Sequence, residues 1–201
     1  MTEKTLPEAI TITVATSVDH ETAARYYQLY RDTFSELATR AVARQLLHEE
    51  EFMEEMDDER VMKYLAWSAE GELIGMSTLT RDLSTVPWIS PDYFAHHYPE
   101  HTARNAVFYL GFTLVERRRR QAQVFQAMIS TIVELLVEER AVCGYDLCAF
   151  NDKIVGLGPS IERLLHRNAG LTLTEVDLQT YYSAVFDGTV PPAPPAPAEA
   201  P

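Results

Sequence analysis

Cysteine is nearly absent from this chain, which holds only Cys143 and Cys148 among its 201 residues. Both fall on one predicted strand, five residues apart, so their side chains point to opposite faces and cannot pair with each other. So few cysteines exclude a scaffold held together by disulfides. We expect two reduced thiols in the core of a cytoplasmic protein.

Basic residues are also scarce, with 17 Lys and Arg against 30 Asp and Glu, for a formal net charge of −13. This balance argues against nucleic acid as a partner, because binding to a phosphate backbone needs a positive surface. The chain also lacks an apolar stretch long enough to span a bilayer, and it shows no secretory signal pattern. We therefore expect a cytoplasmic protein with neither a membrane nor a nucleic acid as its partner.

Hydrophobic residues make up 46% of the chain, which at this length suits one domain with a full core. We predict that domain over residues 1–187. Residues 188–201 are rich in Pro and Ala and cannot build a core, so a disordered tail is predicted there.

The most informative stretch, residues 105–140, has the pattern of a strand, a basic turn and an amphipathic helix. The apolar run NAVFYLGFTLV suits a buried strand, and Val124, Met128 and Ile132 recur at helical spacing after it. Four consecutive arginines at residues 117–120 stand between them, where a helix N-terminus attracts anions. The stretch predicts an anion site for a phosphorylated cofactor. The alternative is a solvated basic cluster paired with the acidic helices.

Along the chain, the predicted order is strand, two helices, three strands, helix, strand, helix and two strands. This order, with a basic loop after the fourth strand, resembles the GNAT superfamily of acyl-CoA-dependent N-acyltransferases. The resemblance covers residues 10–186 and implies an α/β (α+β) fold. In that fold a mixed, mostly antiparallel sheet of about seven strands is flanked by four helices and splayed between the fourth and fifth strands. We place the fifth strand at residues 141–150 and the last two at 171–177 and 180–186.

The resemblance also implies acetyl-CoA or another acyl-CoA as the acyl donor. The family carries a pyrophosphate loop, Arg/Gln-x-x-Gly-x-Gly/Ala, after a strand that ends in Val-x-Pro. Val115 aligns with that valine and residues 120–125 with the loop, so that Gln and Phe stand where the family prefers glycine. A second register starts the loop at Arg117 and places Ala122 at the last small position. The predicted cofactor-binding residues are Thr113, Leu114, Val115, Arg120, Gln121, Ala122, Gln123, Val124 and Phe125.

For catalysis, the resemblance implies direct attack of an amine on the thioester without a covalent enzyme intermediate. The family's general acid is a tyrosine four residues before a Gly-Phe pair, and His166 stands four residues before Gly170-Leu171. A histidine can donate a proton near neutral pH. The alternative is an exposed histidine near a helix C-terminus. The candidate bases, among which the sequence does not choose, are Glu116, Asp92, His96, His97 and Glu100.

A long connection at residues 81–104 contains three prolines and three histidines among aromatic residues. Long connections often line a site, so we predict that Trp88, Tyr93 and His97 bind the acceptor. The segment from His97 to His101 also fits the H-x-x-E-H pattern of some zinc peptidases. Pro99 opposes the helix which that pattern needs, so no metal is predicted.

Together these features predict an N-acetyltransferase or N-acyltransferase that acts on a small-molecule or protein amine. The acidic balance favours a cationic amine, and analogy with the fold suggests a homodimer. Two alternatives remain open. One is a donor with a longer acyl chain on coenzyme A or on a carrier protein, and the other is a non-catalytic binding module of the same fold.

Overall fold

The computed structural model describes residues 10–116, 121–186 and 188. Within them, five strands form one sheet in the order β1-β2-β3-β4-β5. Neighbouring strands from β1 to β4 are antiparallel, whereas β4 and β5 are parallel. The strands are β1 (Thr11–Ala15), β2 (Val61–Trp67), β3 (Leu73–Thr80), β4 (Val107–Val115) and β5 (Val142–Gly144).

Seven α-helices lie in the same described residues, together with a 3₁₀ turn (Leu83–Thr85) and a π-helical turn (Phe150–Ile154). The first helix begins after Asp19, whose carboxylate accepts a hydrogen bond from the Thr22 N–H at 2.9 Å and so caps it. The helices are α1 (His20–Phe34), α2 (Leu37–Arg40), α3 (Glu49–Asp57), α4 (Pro91–His97), α5 (Pro99–Ala103), α6 (Gln121–Glu138) and α7 (Leu157–Asn168).

Apolar side chains cover both faces of the sheet. On one face, Tyr30 of α1 and Phe52 of α3 pack with Leu114 of β4. On the other face, Ile132 of α6 and Leu164 of α7 belong to a second buried cluster. Full burial of a side chain such as Phe52 stabilises the fold by about 1.5–3 kcal/mol. The sheet is therefore the central layer between two layers of helices.

The α/β class and the mostly antiparallel sheet are as predicted, but the counts of seven strands and four helices are wrong for the described chain. Residues 171–186 contain no strand and are almost entirely exposed. Their alternating apolar pattern suits a strand, but a strand needs a neighbour to complete its hydrogen-bonded ladder, and here it has none. The strand predicted at residues 141–150 is reduced to Val142–Gly144 for the same lack of a second neighbour.

The remaining expectations concern smaller features. Cys143 and Cys148 are both free, as predicted, although only Cys143 lies on a strand. The H-x-x-E-H segment is split between α4 and α5, because Pro99 begins a new helix. None of the helices in the described ranges is long and apolar enough to cross a membrane. Apart from Gly188, the predicted tail lies outside the described residues.

Candidate active site

Strand β5 ends after a short parallel pairing with β4. Only three residue pairs join them, from Val107↔Val142 to Tyr109↔Gly144. Beyond Tyr109, β4 continues to Val115 without a β5 partner. A strand side without a neighbour presents its backbone N–H and C=O groups. Residues 110–115 therefore offer a row of such groups to a ligand.

A β-bulge lies in β4 just beyond its last pair with β5. Ser77 pairs with Thr113 and Leu79 pairs with Leu110, so two residues of β4 face the single residue Thr78 of β3. The backbone N–H of Phe112, within the bulge, donates a hydrogen bond to Thr78 Oγ1 at 3.3 Å. Bulges of this kind bend a strand and change the direction of its backbone groups, and they are frequent next to active sites.

Glu55 of α3 faces the bulge. A Cβ atom added at Gly111 would lie 2.4 Å from Thr78 Oγ1 and 3.7 Å from Glu55 Oε1, so glycine lets both side chains come close to the strand. Burial raises the pKa of the Glu55 carboxyl, whereas the hydrogen bond from Thr78 and the charge of Lys63 oppose that rise. A carboxylate of raised pKa is a stronger proton acceptor. The bulge and Glu55 together form a candidate catalytic centre.

Glu55 is not among the residues predicted from the sequence, because it stands in the acidic run of residues 48–59, a pattern typical of a solvated helix face. Its spacing carried a signal, however. Phe52 and Met56 are both fully buried, and Glu55 lies three residues after the first and next to the second. At 3.6 residues per turn, these positions fall on the same side of the helix.

A second carboxylate, Asp146, lies just beyond β5. Its Oδ1 accepts hydrogen bonds from the Tyr109 hydroxyl at 2.6 Å and from Trp88 Nε1 at 3.2 Å. Burial and the Asp146 carboxylate raise the pKa of Tyr109, so this hydroxyl stays protonated as a donor. Tyr109 is two residues before Gly111 on β4. Because alternate residues of a strand share a face, both carboxylates flank the same face of β4.

No protein-family model matches the chain, and no curated protein matches it either. Solved structures do match. A possible acetyltransferase from Clostridium difficile 630 aligns with a TM-score of 0.53 and 12% identity, covering 88% of this chain and 98% of that one. A structure described as a probable acetyltransferase aligns with a TM-score of 0.50 and 18% identity, covering 89% of this chain and 99% of that one. At such identities the likeness concerns the fold alone.

The chain has the GNAT fold. The open edge of β4 and its bulge lie beyond the end of β5, and α6 follows β4 in the chain. The described residues contain no group of three or more His, Cys, Asp or Glu side chains that could hold a metal ion. The polar groups that the described residues bring to this cleft include the edge of β4, Glu55 and Asp146.

The predicted donor-binding residues of β4 are Thr113, Leu114 and Val115, and the groups that they offer to the cleft are backbone groups. The side chains of Leu114 and Val115 are buried in the core, and the Thr113 hydroxyl is hydrogen-bonded to Ser77 Oγ at 2.7 Å. Glu116 follows the end of the strand, where its N–H donates to Ile74 O at 3.0 Å. At about 3.3 Å per residue, Glu116 is roughly 16 Å along the chain from the bulge.

The residues that were aligned with the pyrophosphate loop are placed differently from the prediction. Residues 121–125 form the first turn of α6 and not a loop. Gln121, Ala122 and Gln123 are exposed, whereas Val124 is buried and Phe125 packs partly into the core. This correction follows from the apolar spacing of α6, which already includes Val124. The predicted contact of Arg120 lies outside the described residues, as do the other three arginines.

The predicted acceptor residues separate into two places. Trp88 reaches Asp146 at the cleft. Tyr93 and His97 contact each other, with ring centroids 4.3 Å apart, and the Tyr93 hydroxyl donates to Val176 O at 3.3 Å. His166 is exposed on the last turn of α7, which packs with α6 on the face of the sheet opposite Glu55. The structure therefore brings Trp88 to the site but does not bring His166 there.

Proposed function

We propose that this protein is an N-acyltransferase that transfers an acyl group from acyl-CoA to an amine by direct attack. The observation that carries the proposal is the open edge of β4, with its bulge at Gly111 and Phe112 faced by the Glu55 carboxyl. An extended ligand arm can pair with the open edge of β4. The Glu55 carboxyl faces the bulge, beside the point where that arm would end. Acyl transfer to an amine needs these two components.

The donor fits this cleft by its chemistry. The pantetheine arm of acyl-CoA carries amide groups that can pair with the unpaired backbone groups of residues 110–115. The phosphates would then lie near the start of α6, where helix N–H groups favour anions. Residues 121–125 belong to α6, so the register that starts the loop at Arg117 overlaps this helix by two residues and the register 120–125 overlaps it by five. We therefore prefer the register that starts at Arg117.

In the proposed reaction, the amine nitrogen forms a bond to the acyl carbon while the carbon–sulfur bond breaks. The electron pair of that bond goes to the sulfur of coenzyme A, and the amine gives up a proton. Glu55 accepts this proton directly or through one water, and a backbone N–H of the β4 edge polarises the acyl oxygen. We assign the base role to Glu55 in preference to Glu116, since Glu116 is five residues further along the chain from the bulge.

The acceptor is proposed to be a cationic amine. Glu55 and Asp146 place two carboxylates along one face of β4, and the Trp88 ring beside Asp146 can cover a cation. The formal net charge of −13 also attracts cations to the protein. Asp146 is held in place by Tyr109 and Trp88, so it can bind the charged end of an amine without rearrangement.

The test measures release of free coenzyme A thiol with acetyl-CoA and with longer acyl-CoAs, against a panel of diamines and polyamines. Glu55→Gln should lower kcat by roughly 10²- to 10⁴-fold, as expected for loss of a general base. Calorimetric binding of coenzyme A should be unchanged. Glu54→Gln is the matched control, because Glu54 is the exposed neighbour on the same helix.

Three results would count against parts of this proposal. Equal turnover in the Glu55 and Glu54 variants would remove Glu55 as the base. Turnover only with longer acyl chains, or with an acylated carrier protein, would reassign the donor. Failure of acetyl-CoA, longer acyl-CoAs and free coenzyme A alike to bind would exclude the enzyme and favour a non-catalytic module of this fold.

A further inference from the structure

Thr78 is a buried threonine on β3, beside the bulge of β4. It pairs with Lys63 of β2 on one side and faces the bulge on the other. Only 1% of its surface is exposed. A buried hydroxyl without a hydrogen-bond partner is costly, because it has lost its contact with water. The partners that the fold gives to this hydroxyl therefore indicate what it does there.

The Thr78 hydroxyl links the bulge to Glu55 through two hydrogen bonds of opposite direction. Its oxygen accepts a hydrogen bond from the Phe112 N–H at 3.3 Å. Its side chain is also hydrogen-bonded to the Glu55 carboxyl. A hydroxyl has a single proton, and an ionised carboxylate can only accept. The Thr78 oxygen therefore receives the proton of Phe112, and its own proton is directed at Glu55.

Gly111 leaves open the space in which these groups meet. A Cβ atom at this residue would lie 3.7 Å from Glu55 Oε1, and the atom nearest to it would be Thr78 Oγ1. Both oxygens therefore lie against the same point of the β4 backbone. Threonine is stiff at χ1 because its Cβ is branched, so β3 sets the direction of this hydroxyl. The longer side chain of Glu55 has several rotamers and needs a partner to fix one of them.

We propose that Thr78 is the positioning residue of the catalytic base, and that its hydroxyl holds the Glu55 carboxylate toward the acceptor amine at the bulge. This inference rests on the proposed function, in which Glu55 takes the proton of that amine. In this role Thr78 touches neither substrate. It joins the backbone of the bulge, where the acyl group would end, to the carboxylate, so that the distance between them stays fixed.

The groups that face Glu55 also determine when it is ionised. Burial raises the pKa of its carboxyl, the Thr78 hydrogen bond and the charge of Lys63 lower that pKa, and the charge of Asp58 raises it. Tyr30 of α1 faces the same carboxyl, and burial raises the pKa of Tyr30 to about 12, so it is neutral near pH 7. A hydrogen bond donated to a carboxylate favours the ionised form. Loss of the Thr78 hydroxyl should therefore keep Glu55 protonated up to a higher pH.

The first experiment titrates the Glu55 carboxyl by carbon NMR in the full-length protein, labelled in its glutamate side chains. Glu55→Gln identifies the signal by removing it. Thr78→Val and Thr78→Ala both remove the hydroxyl, and each should move the titration midpoint to higher pH by about one unit. Thr78→Ser keeps the hydroxyl, so its midpoint should stay close to that of the wild type. The same midpoint in the wild type, Thr78→Val and Thr78→Ala would overturn the proposal.

Thr80→Val is the matched control for loss of a buried threonine hydroxyl. Thr80 lies two residues further along the same strand, is 4% exposed, and donates a hydrogen bond to Arg60 O at 3.1 Å. Thr80→Val should therefore lower the melting temperature, as Thr78→Val does, and leave the Glu55 midpoint in place. An equal shift of that midpoint in both valine variants would be a general effect of destabilisation, and it would overturn the role assigned to Thr78.

The second experiment measures turnover with acetyl-CoA and the best amine of the diamine and polyamine panel. Thr78→Val should lower kcat by roughly 10- to 100-fold with the KM for acetyl-CoA unchanged, and Thr78→Ser should restore most of the loss. Equal kcat in the wild type and Thr78→Val would overturn the inference and leave the proposed function standing. Absence of turnover in the wild type would refute the proposed function instead, and the NMR midpoints would still decide whether Thr78 controls the Glu55 carboxyl.

Discussion

Gly111→Ala is the perturbation that tests the geometry of the bulge most sharply. Gly111 does not have a positive φ, so alanine fits its backbone and the effect is steric. The new Cβ would meet Thr78 Oγ1 at 2.4 Å, which forces that side chain to move. Overpacking of this kind costs about 1–3 kcal/mol. Loss of the Phe112 N–H to Thr78 hydrogen bond adds about 0.5–1.5 kcal/mol, for a total of about 1.5–4.5 kcal/mol.

The Thr78→Ala background supplies the matched comparison. Without Oγ1, the nearest atom to the new Cβ is the Thr78 Cβ at 3.6 Å, which is ordinary van der Waals contact. Gly111→Ala should therefore cost less than about 1 kcal/mol in that background, and the double-mutant cycle should show strong coupling. Urea unfolding followed by circular dichroism measures the four free energies of unfolding. The reasoning is refuted if Gly111→Ala has the same cost in both backgrounds.

Two further predictions concern the charged groups Lys63 and Glu51. Lys63 is fully buried, and its Nζ donates hydrogen bonds to Thr16 O and Asp58 O. Lys63→Met should therefore lower the free energy of unfolding by about 2–4 kcal/mol. An unchanged melting temperature of this variant would contradict the prediction. The hydrogen bond from Arg44 lowers the pKa of Glu51 in the folded protein to about 2. The stability that Glu51 contributes is therefore complete above its ordinary pKa of 4.5 and is lost as the pH falls toward 2. Glu51→Gln should lower the free energy of unfolding at pH 7 by at most about 1 kcal/mol, because the Arg44–Glu51 pair is exposed. In acid unfolding experiments, the difference in stability between this variant and the wild type should shrink as the pH falls from 4.5 toward 2.

The parts of the fold that the sequence predicted correctly are those whose signal is local. β4 with α6 follows from a change in apolar period from strand to helix. Residues 171–186 have an equally strong local pattern, but a strand depends on a neighbour that local pattern cannot supply. The shortening of β5 has the same physical cause.

The candidate site was less accessible to sequence reasoning, because tertiary contacts create it. Asp146 has no local signal, and its importance comes from Tyr109 and Trp88, which are distant in the chain. Glu55 stands in an acidic run whose charge concealed one buried position. The bulge at Gly111 depends on register with β3, which apolar alternation does not reveal. His166 matched a family spacing, but its helix carries it to the other side of the sheet.

The most direct measurement of the central claim is amide hydrogen exchange of the full-length protein with and without coenzyme A. The claim is that the unpaired edge of β4 binds the donor. Exchange should slow in peptides covering residues 110–115 and at the start of α6, and it should remain unchanged in β1 and in α3. Slower exchange elsewhere with no change at residues 110–115 would contradict the claim, because the donor would then not lie along β4.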